Sequence, residues 1–186
     1  SGERVMTQFD KKIVFVSGAT RGIGASIAQH FLAEGATVYG SATKATDAQQ
    51  LGLAGVFAAD FTQREEIERC ADFIRSIKPD ILINNAGVSW GAPIEEFPEI
   101  GWDKVMDTNV KGVFFLTQRL LPLLQARATK DDTSRIVNIG SIDGIGTPSF
   151  ETYSYGPSKA AVHSLTKVLA GRLARRHIIV NAIATG

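Results

Sequence analysis

The chain has 186 residues, enough to bury one substantial core and too few for two ordinary domains. Its 20 basic residues nearly balance 19 acidic ones, and a net charge of +1 offers no electrostatic footprint for nucleic acid or an anionic membrane surface. No apolar run approaches the roughly 20 residues of a transmembrane helix, and the lone Cys70 cannot form an intrachain disulfide, so a cytoplasmic globular protein is expected.

Residues 1–9 lack the apolar stretch of a signal peptide and are read as an N-terminal extension, its first five residues before Met6 an expression remnant; residues 10–186 are read as one domain. Residues 13–17 (IVFVS) form a nearly continuous apolar run, the mark of a strand covered on both faces. Glycine-rich sequence follows at once. From Ile23 the apolar residues Ile27, Phe31 and Leu32 recur at helical spacing, and Gly35 supplies the helix stop. The unit then repeats. Strands are expected over 37–41 and 55–59, with room between them only for a poor helix over 46–53. A helix over 65–77 leads to a strand over 80–84 (DILIN), a long helix over 102–125, a strand over 135–140 (RIVNIG), a helix over 155–175 and a last strand over 177–182. Alternation of this kind predicts an α/β fold: a doubly wound parallel sheet of Rossmann type with about six strands and helices on both faces.

In SGATRGIG, Gly18, Gly22 and Gly24 follow the first strand and open the first helix. The first glycine permits a sharp turn, the second lets backbone approach a pyrophosphate, and the third lets the helix pack close to the strand, with the helix N-terminus facing the phosphate charge. A dinucleotide with a free ribose 2′-hydroxyl usually meets a carboxylate at the end of the second strand. Residues 38–44 contain none, whereas Arg21 and Lys44 can face a 2′-phosphate, so NADP(H) is expected over NAD(H).

Tyr155 and Lys159 are four apart in YGPSK, which puts them on one helix face, where the ammonium can lower the phenol's pKa and ready it for proton exchange. Tyr153 has Pro157 at its own fourth position, which selects Tyr155 as the acid/base. Ser141 follows RIVNIG, at the carboxyl edge of the sheet where ligands of such folds bind, and its hydroxyl can hydrogen-bond a substrate carbonyl without acting as a nucleophile.

With the glycine turn, the Asn84-Asn85-Ala86-Gly87 tetrapeptide after a strand, Asn109 in DTNV, Ser141 and the Tyr155/Lys159 pair, the chain from Asp10 to Gly186 resembles the short-chain dehydrogenase/reductase family. The resemblance implies that Ser141 positions a carbonyl, Tyr155 donates a proton as hydride arrives from nicotinamide, Lys159 also holds the nicotinamide ribose, and Asn109 holds a water of a proton relay. It assigns cofactor contacts to Gly18, Thr20, Arg21, Gly22, Ile23, Gly24, Thr43, Asp60, Phe61, Asn85, Ala86, Gly87, Tyr155 and Lys159, with Asp60 and Phe61 flanking adenine. Within the family, GVSWGAPIEEFPEIGWDKVMDTNV and SYGPSKAAVHSLTK look most like NADPH-dependent β-ketoacyl reductases of the bacterial rhamnolipid-associated type. The implied substrate is a small-molecule ketone or alcohol such as a 3-oxoacyl group, and the implied assembly is a homodimer or homotetramer that pairs through the helix at residues 160–173 and the one containing Asn109.

Three departures stand out. Ser17 replaces the usual Thr but keeps a hydroxyl, Thr185 replaces the usual Pro, and the chain stops at Gly186, where members of the family continue into a substrate-covering loop, helices and a last strand. The C-terminal part of the family fold is therefore expected to be absent here and the functional protein to be longer. One alternative is a non-catalytic dinucleotide-binding module or an inactive fragment of a longer reductase. Another is the extended branch with sugar-nucleotide substrates, which favours a different glycine spacing. His30, His163 and His177 are scattered without metal-ligand spacing, so no metal site is expected. His163 is read as a helix-packing residue, Cys70 as inert, and Trp90 and Trp102 as residues either of the pocket or of the core.

Overall fold

The computed structural model describes residues 6–186, so the first five residues of the expected extension lie outside the described residues. Six strands, β1 (Ile13–Val16), β2 (Thr37–Ala42), β3 (Gly55–Ala58), β4 (Ile81–Asn84), β5 (Ser134–Ser141) and β6 (Ile178–Thr185), form one sheet in the order β3-β2-β1-β4-β5-β6. Every neighbouring pair is parallel, with Val14 opposite Val38 and Ile81, Asn84 opposite Asn138, and Ser141 opposite Thr185. Among the described residues five α-helices accompany them: α1 (Gly22–Ala33), α2 (Arg64–Ile77), α3 (Glu99–Met106), α4 (Gly112–Arg127) and α5 (Tyr155–Leu173).

Strand alternation sorts the apolar residues into two cores. Phe15, Leu82 and Ile136 point to one face, against Ile67, Cys70 and Ile74 of α2, Leu116, Leu120 and Leu124 of α4, and Leu173 of α5. Val14, Val16, Ile81 and Ile83 point to the other, against Ala28 of α1 and Leu53. Each of the fully buried Ile and Leu side chains contributes about 1.5–3 kcal/mol of transfer free energy. Cys70 belongs to the first core, and burial pushes its thiol up to about 12, a chemically quiet state at neutral pH.

Three elements differ from the sequence reading. Only a 3-10 turn, Gln49–Leu51, lies between β2 and β3, because Gly52 in the left-handed region ends it at once. The helix expected over 102–125 is divided by a π-helical turn, Asp107–Lys111, into α3 and α4. The last strand runs three residues further, to Thr185, paired along its whole length with β5. At the other end, Thr7 and Phe9 of the expected extension pack on the domain: Phe9 meets Phe31 edge-on with ring centroids 4.9 Å apart, and a Cβ on Gly35 would collide with the Thr7 hydroxyl.

Chain order reverses between β1 and β4, and the C-terminal ends of the strands on both sides of that point leave a crevice. In open α/β sheets this is where ligands bind.

Candidate active site

The crevice holds a cavity of about 740 Å³, lined at one end by the glycine turn and at the other by Tyr155 and Lys159. Gly18 and Gly22 adopt φ of +63° and +55°, the left-handed region that glycine enters without steric cost. Gly24 has a different job. A Cβ there would overlap the Gly18 carbonyl oxygen and Asn85 Nδ2, so its constraint is contact with the turn itself rather than with the body of the strand. Helix α1 starts without a side-chain cap and without an acidic residue in its first turn. Its leading amides and partial positive charge therefore face the cavity unneutralised, the electrostatic arrangement that suits a pyrophosphate.

Ser17 joins this turn to the Asn-Asn-Ala-Gly segment. Its Oγ accepts from the amides of Asn85 and Ala86, both at 2.9 Å, and donates to the Ile83 carbonyl at 3.4 Å. Asn85 answers through Nδ2, which donates to the carbonyls of Ser17 and Gly18 at 3.1 Å each. The replacement of Thr by Ser thus keeps every polar contact the hydroxyl supplies. Ser41 braces the turn from β2, its Oγ accepting from the Gly18 amide at 3.2 Å.

Every residue expected to contact a cofactor lines the cavity, from Gly18, Thr20, Arg21, Gly22, Ile23 and Gly24 through Thr43, Asp60 and Phe61 to Asn85, Ala86, Gly87, Tyr155 and Lys159. Arg21, Thr43 and Lys44 are exposed residues of its wall, and no carboxylate lies among β2 and the residues just after it. Asp60 is the carboxylate on the wall, and its Oδ1 accepts from the Thr62 amide at 2.9 Å and hydroxyl at 2.8 Å.

At the catalytic end, Lys159 is 5% exposed, donates from Nζ to the Ile139 carbonyl at 2.9 Å, and lies 5.7 Å from the centre of the Tyr155 ring. Burial lowers its pKa to about 8. Asn109 and Ser141 are brought to the same region but do not line the cavity. Asn109 is buried with both amide hydrogens and its oxygen engaged: Oδ1 accepts from the Val88 amide at 2.8 Å, and Nδ2 donates to the Val88 carbonyl at 2.9 Å and to Ser158 Oγ at 3.0 Å. Ser141 Oγ accepts from the Asp143 amide at 3.1 Å and so caps the 3-10 turn Ile142–Gly144. Accepting leaves its own hydroxyl hydrogen free to donate. Thr185 lines the cavity and donates its hydroxyl to the Gly140 carbonyl at 3.1 Å.

A family model described as short chain dehydrogenase matches residues 12–186. The chain belongs to the short chain dehydrogenase family. Among its relatives, a rhamnolipids biosynthesis 3-oxoacyl-[acyl-carrier-protein] reductase of Pseudomonas aeruginosa is 43% identical over 184 residues, 94% of this chain and 72% of the relative. A 3-oxoacyl-[acyl-carrier-protein] reductase of Thermotoga maritima is 34% identical over 190 residues, 96% of this chain and 75% of the relative. Of solved structures, the Pseudomonas aeruginosa RhlG/NADP active-site complex superposes with a TM-score of 0.90 at 43% identity, covering 95% of this chain and 73% of that one. A 3-ketoacyl-(acyl-carrier-protein) reductase from Brucella melitensis, complexed with NADH, gives 0.86 at 29% identity, covering 95% and 76%.

Beneath the site of this short chain dehydrogenase, Asn84 of the Asn-Asn-Ala-Gly segment anchors a buried network with three residues that sequence reasoning did not single out: Thr117, Asn138 and Thr166. Asn84 Nδ2 donates to Asn138 Oδ1 at 2.9 Å and to Thr117 Oγ1 at 3.4 Å, and Asn138 Nδ2 donates to Thr166 Oγ1 at 2.9 Å. All four are buried, and together they join α4, β4, β5 and α5 beneath the site. Polar residues inside otherwise apolar strands, Asn84 in ILIN and Asn138 in RIVNIG, were the available signal. Trp90 is absent from the cavity wall. Its ring packs against Gly101, while the neighbouring Lys104 lies 6.0 Å from the ring centre and does line the cavity.

Proposed function

We propose that the protein reduces the keto group of a 3-oxoacyl or similar ketone with NADP(H) as the redox partner, using Ser141, Tyr155 and Lys159. One observation carries this reading: Tyr155 and Lys159 stand on the wall of the same crevice as an uncapped, glycine-lined helix N-terminus. Glycine turn, Asn85 to Gly87 and Phe61 would hold the dinucleotide, and Arg21 with Lys44 would meet a 2′-phosphate. When bound, the reduced nicotinamide supplies a hydride to the keto carbon.

The chain's own groups handle the oxygen and its proton. Ser141 donates a hydrogen bond to the carbonyl oxygen and so stabilises the negative charge developing there. Tyr155 gives the same oxygen its phenolic proton, which turns the nascent alkoxide into an alcohol. The Lys159 ammonium, held by Ile139, favours the phenolate left behind. With its side-chain amide engaged, Asn109 has its backbone carbonyl to offer a relay water, at a π-helical turn where the hydrogen-bond ring is already widened. Apolar side chains at Ile142, Ile145 and Phe150 are more than half exposed in the segment leading to Tyr155, a surface suited to an acyl chain.

Titration of the cofactor-free protein with NADPH and with NADH, followed by nucleotide fluorescence, tests the cofactor half of the reading. Tighter NADPH binding that Arg21→Ala weakens about tenfold, with NADH unaffected, is expected for the loss of one charge-assisted phosphate contact. Equal loss for both nucleotides would contradict the 2′-phosphate assignment.

The same reading puts the protein in the cytoplasm as a homodimer or homotetramer with small-molecule substrates. Among the described residues no helix is long and apolar enough to cross a membrane. Met106, Val110, Phe114, Phe115 and Leu165, flanked by Asp107 and Lys111, line a mostly apolar groove of about 300 Å³ formed by α3, the π-helical turn, α4 and α5, and Val168 on α5 is exposed. A light-scattering mass of one chain would remove the oligomer assignment.

A further inference from the structure

Helix α5 carries a third polar side chain in line with Tyr155 and Lys159. His163 is four residues beyond Lys159, so it falls on the same helix face. Its Nε2 accepts the Ser141 amide hydrogen at 3.3 Å. The preceding residue is glycine for a steric reason: any Cβ on Gly140 would run into the His163 ring. Pairing of β5 with β4 ends at Asn138, three residues before Ser141, so the Ser141 amide lies beyond that ladder and is met by a side chain instead.

Three contacts then fix α5 against the end of β5. Thr166 takes the Asn138 amide, Lys159 reaches the Ile139 carbonyl, and His163 takes the Ser141 amide. Of these, the histidine contact is the one made to the residue whose hydroxyl faces the reacting carbonyl in the proposed reaction. Tyr155 rides on the same helix, so the His163 contact links the helix of one group to the backbone of the other.

We propose that His163 is a positioning residue, which holds the Ser141 backbone, and hence its hydroxyl, in register with Tyr155. This rests on the reductase reading above. The imidazole is absent from the cavity wall; it acts through Ser141. Because Gly140 leaves room for a planar ring and the accepting atom is Nε2, glutamine is the conservative replacement, with its amide oxygen near the place of that nitrogen, and leucine is the replacement that fills space without accepting.

The test compares wild type, His163→Gln and His163→Leu by NADPH titration, by steady-state reduction of a 3-oxoacyl thioester, and by NMR of the Ser141 amide and the His163 ring. A misplaced catalytic group costs on the order of 10 to 100-fold in rate, so His163→Leu is expected to lose that much in kcat, with NADPH affinity and KM within about twofold, and His163→Gln to recover most of it. Wild-type Nε2 should appear as the unprotonated ring nitrogen, and the Ser141 amide shift should move in the leucine variant and return in the glutamine variant. An unchanged kcat in His163→Leu overturns the proposal, as does equal loss in both variants or a protonated Nε2. If the wild type reduces no ketone, the reductase reading fails by itself, and the Ser141 amide shifts still decide whether His163 holds that backbone.

Discussion

Lys159 and Tyr155 share one face of α5, with the ammonium 5.7 Å from the phenol ring's centre and anchored to β5 through the Ile139 carbonyl. The four-residue helical step explains the shared face, and the parallel β5 explains the anchor, because its carbonyl is delivered at the sheet edge where α5 begins. This pair is the point at which cofactor crevice and proton chemistry coincide.

Burying Lys159 has a consequence for stability with a definite sign. Its folded pKa of about 8 lies below the ordinary 10.5, so the fold favours the neutral amine. The resulting penalty is complete below about pH 8, fades between about 8 and 10.5, and is gone above that range. Denaturant unfolding of cofactor-free wild type and Lys159→Met should therefore give a stability difference that changes in favour of wild type by up to about 3 kcal/mol from pH 7.5 to 10.5. A difference that stays flat across that window contradicts the assignment.

Gly22 and Gly24 should respond differently to alanine. At Gly22 the added Cβ meets nothing within 4 Å, so only the left-handed backbone is charged, about 1 kcal/mol. At Gly24 the Cβ overlaps the Gly18 carbonyl and Asn85, and about 2–3 kcal/mol of overpacking is expected, with loss of NADPH binding. Thermal unfolding of the two variants checks the order, and a larger loss at Gly22 would refute it.

Ser17→Ala removes the acceptor shared by the amides of Asn85 and Ala86 and should cost about 2 kcal/mol. Faster hydrogen exchange at those two amides is the specific readout. Ser17→Thr should leave both protected, and unprotected amides in that variant would show that the hydroxyl is not the anchor.

Much of this arrangement was legible in the chain because it follows from short-range rules. Buried strands read as apolar runs, the glycine turn follows the first of them, and a four-residue step puts Tyr155 beside Lys159 whatever the rest of the fold does. What escaped depends on how helices sit against strands. The π-helical turn at Asp107–Lys111 leaves the apolar pattern of α3 and α4 unbroken, yet it is the segment that carries Asn109 inward to Val88 and Ser158. His163 resembled any packing residue until the register of α5 on β5 placed its ring over Gly140. The expected helix before β3 shrank to three residues because Gly52 closes it, a local cause that the weak apolar pattern of that stretch concealed.

The most direct test of the central claim is NADPH oxidation on addition of a 3-oxoacyl thioester, run on wild type beside Tyr155→Phe. The account predicts one NADPH consumed per ketone by wild type, and in the phenylalanine variant a rate lower by about 10² to 10⁴-fold with NADPH affinity retained, since only the proton donor is gone. Reduction by Tyr155→Phe at the wild-type rate, or none by wild type with NADPH bound, would contradict it.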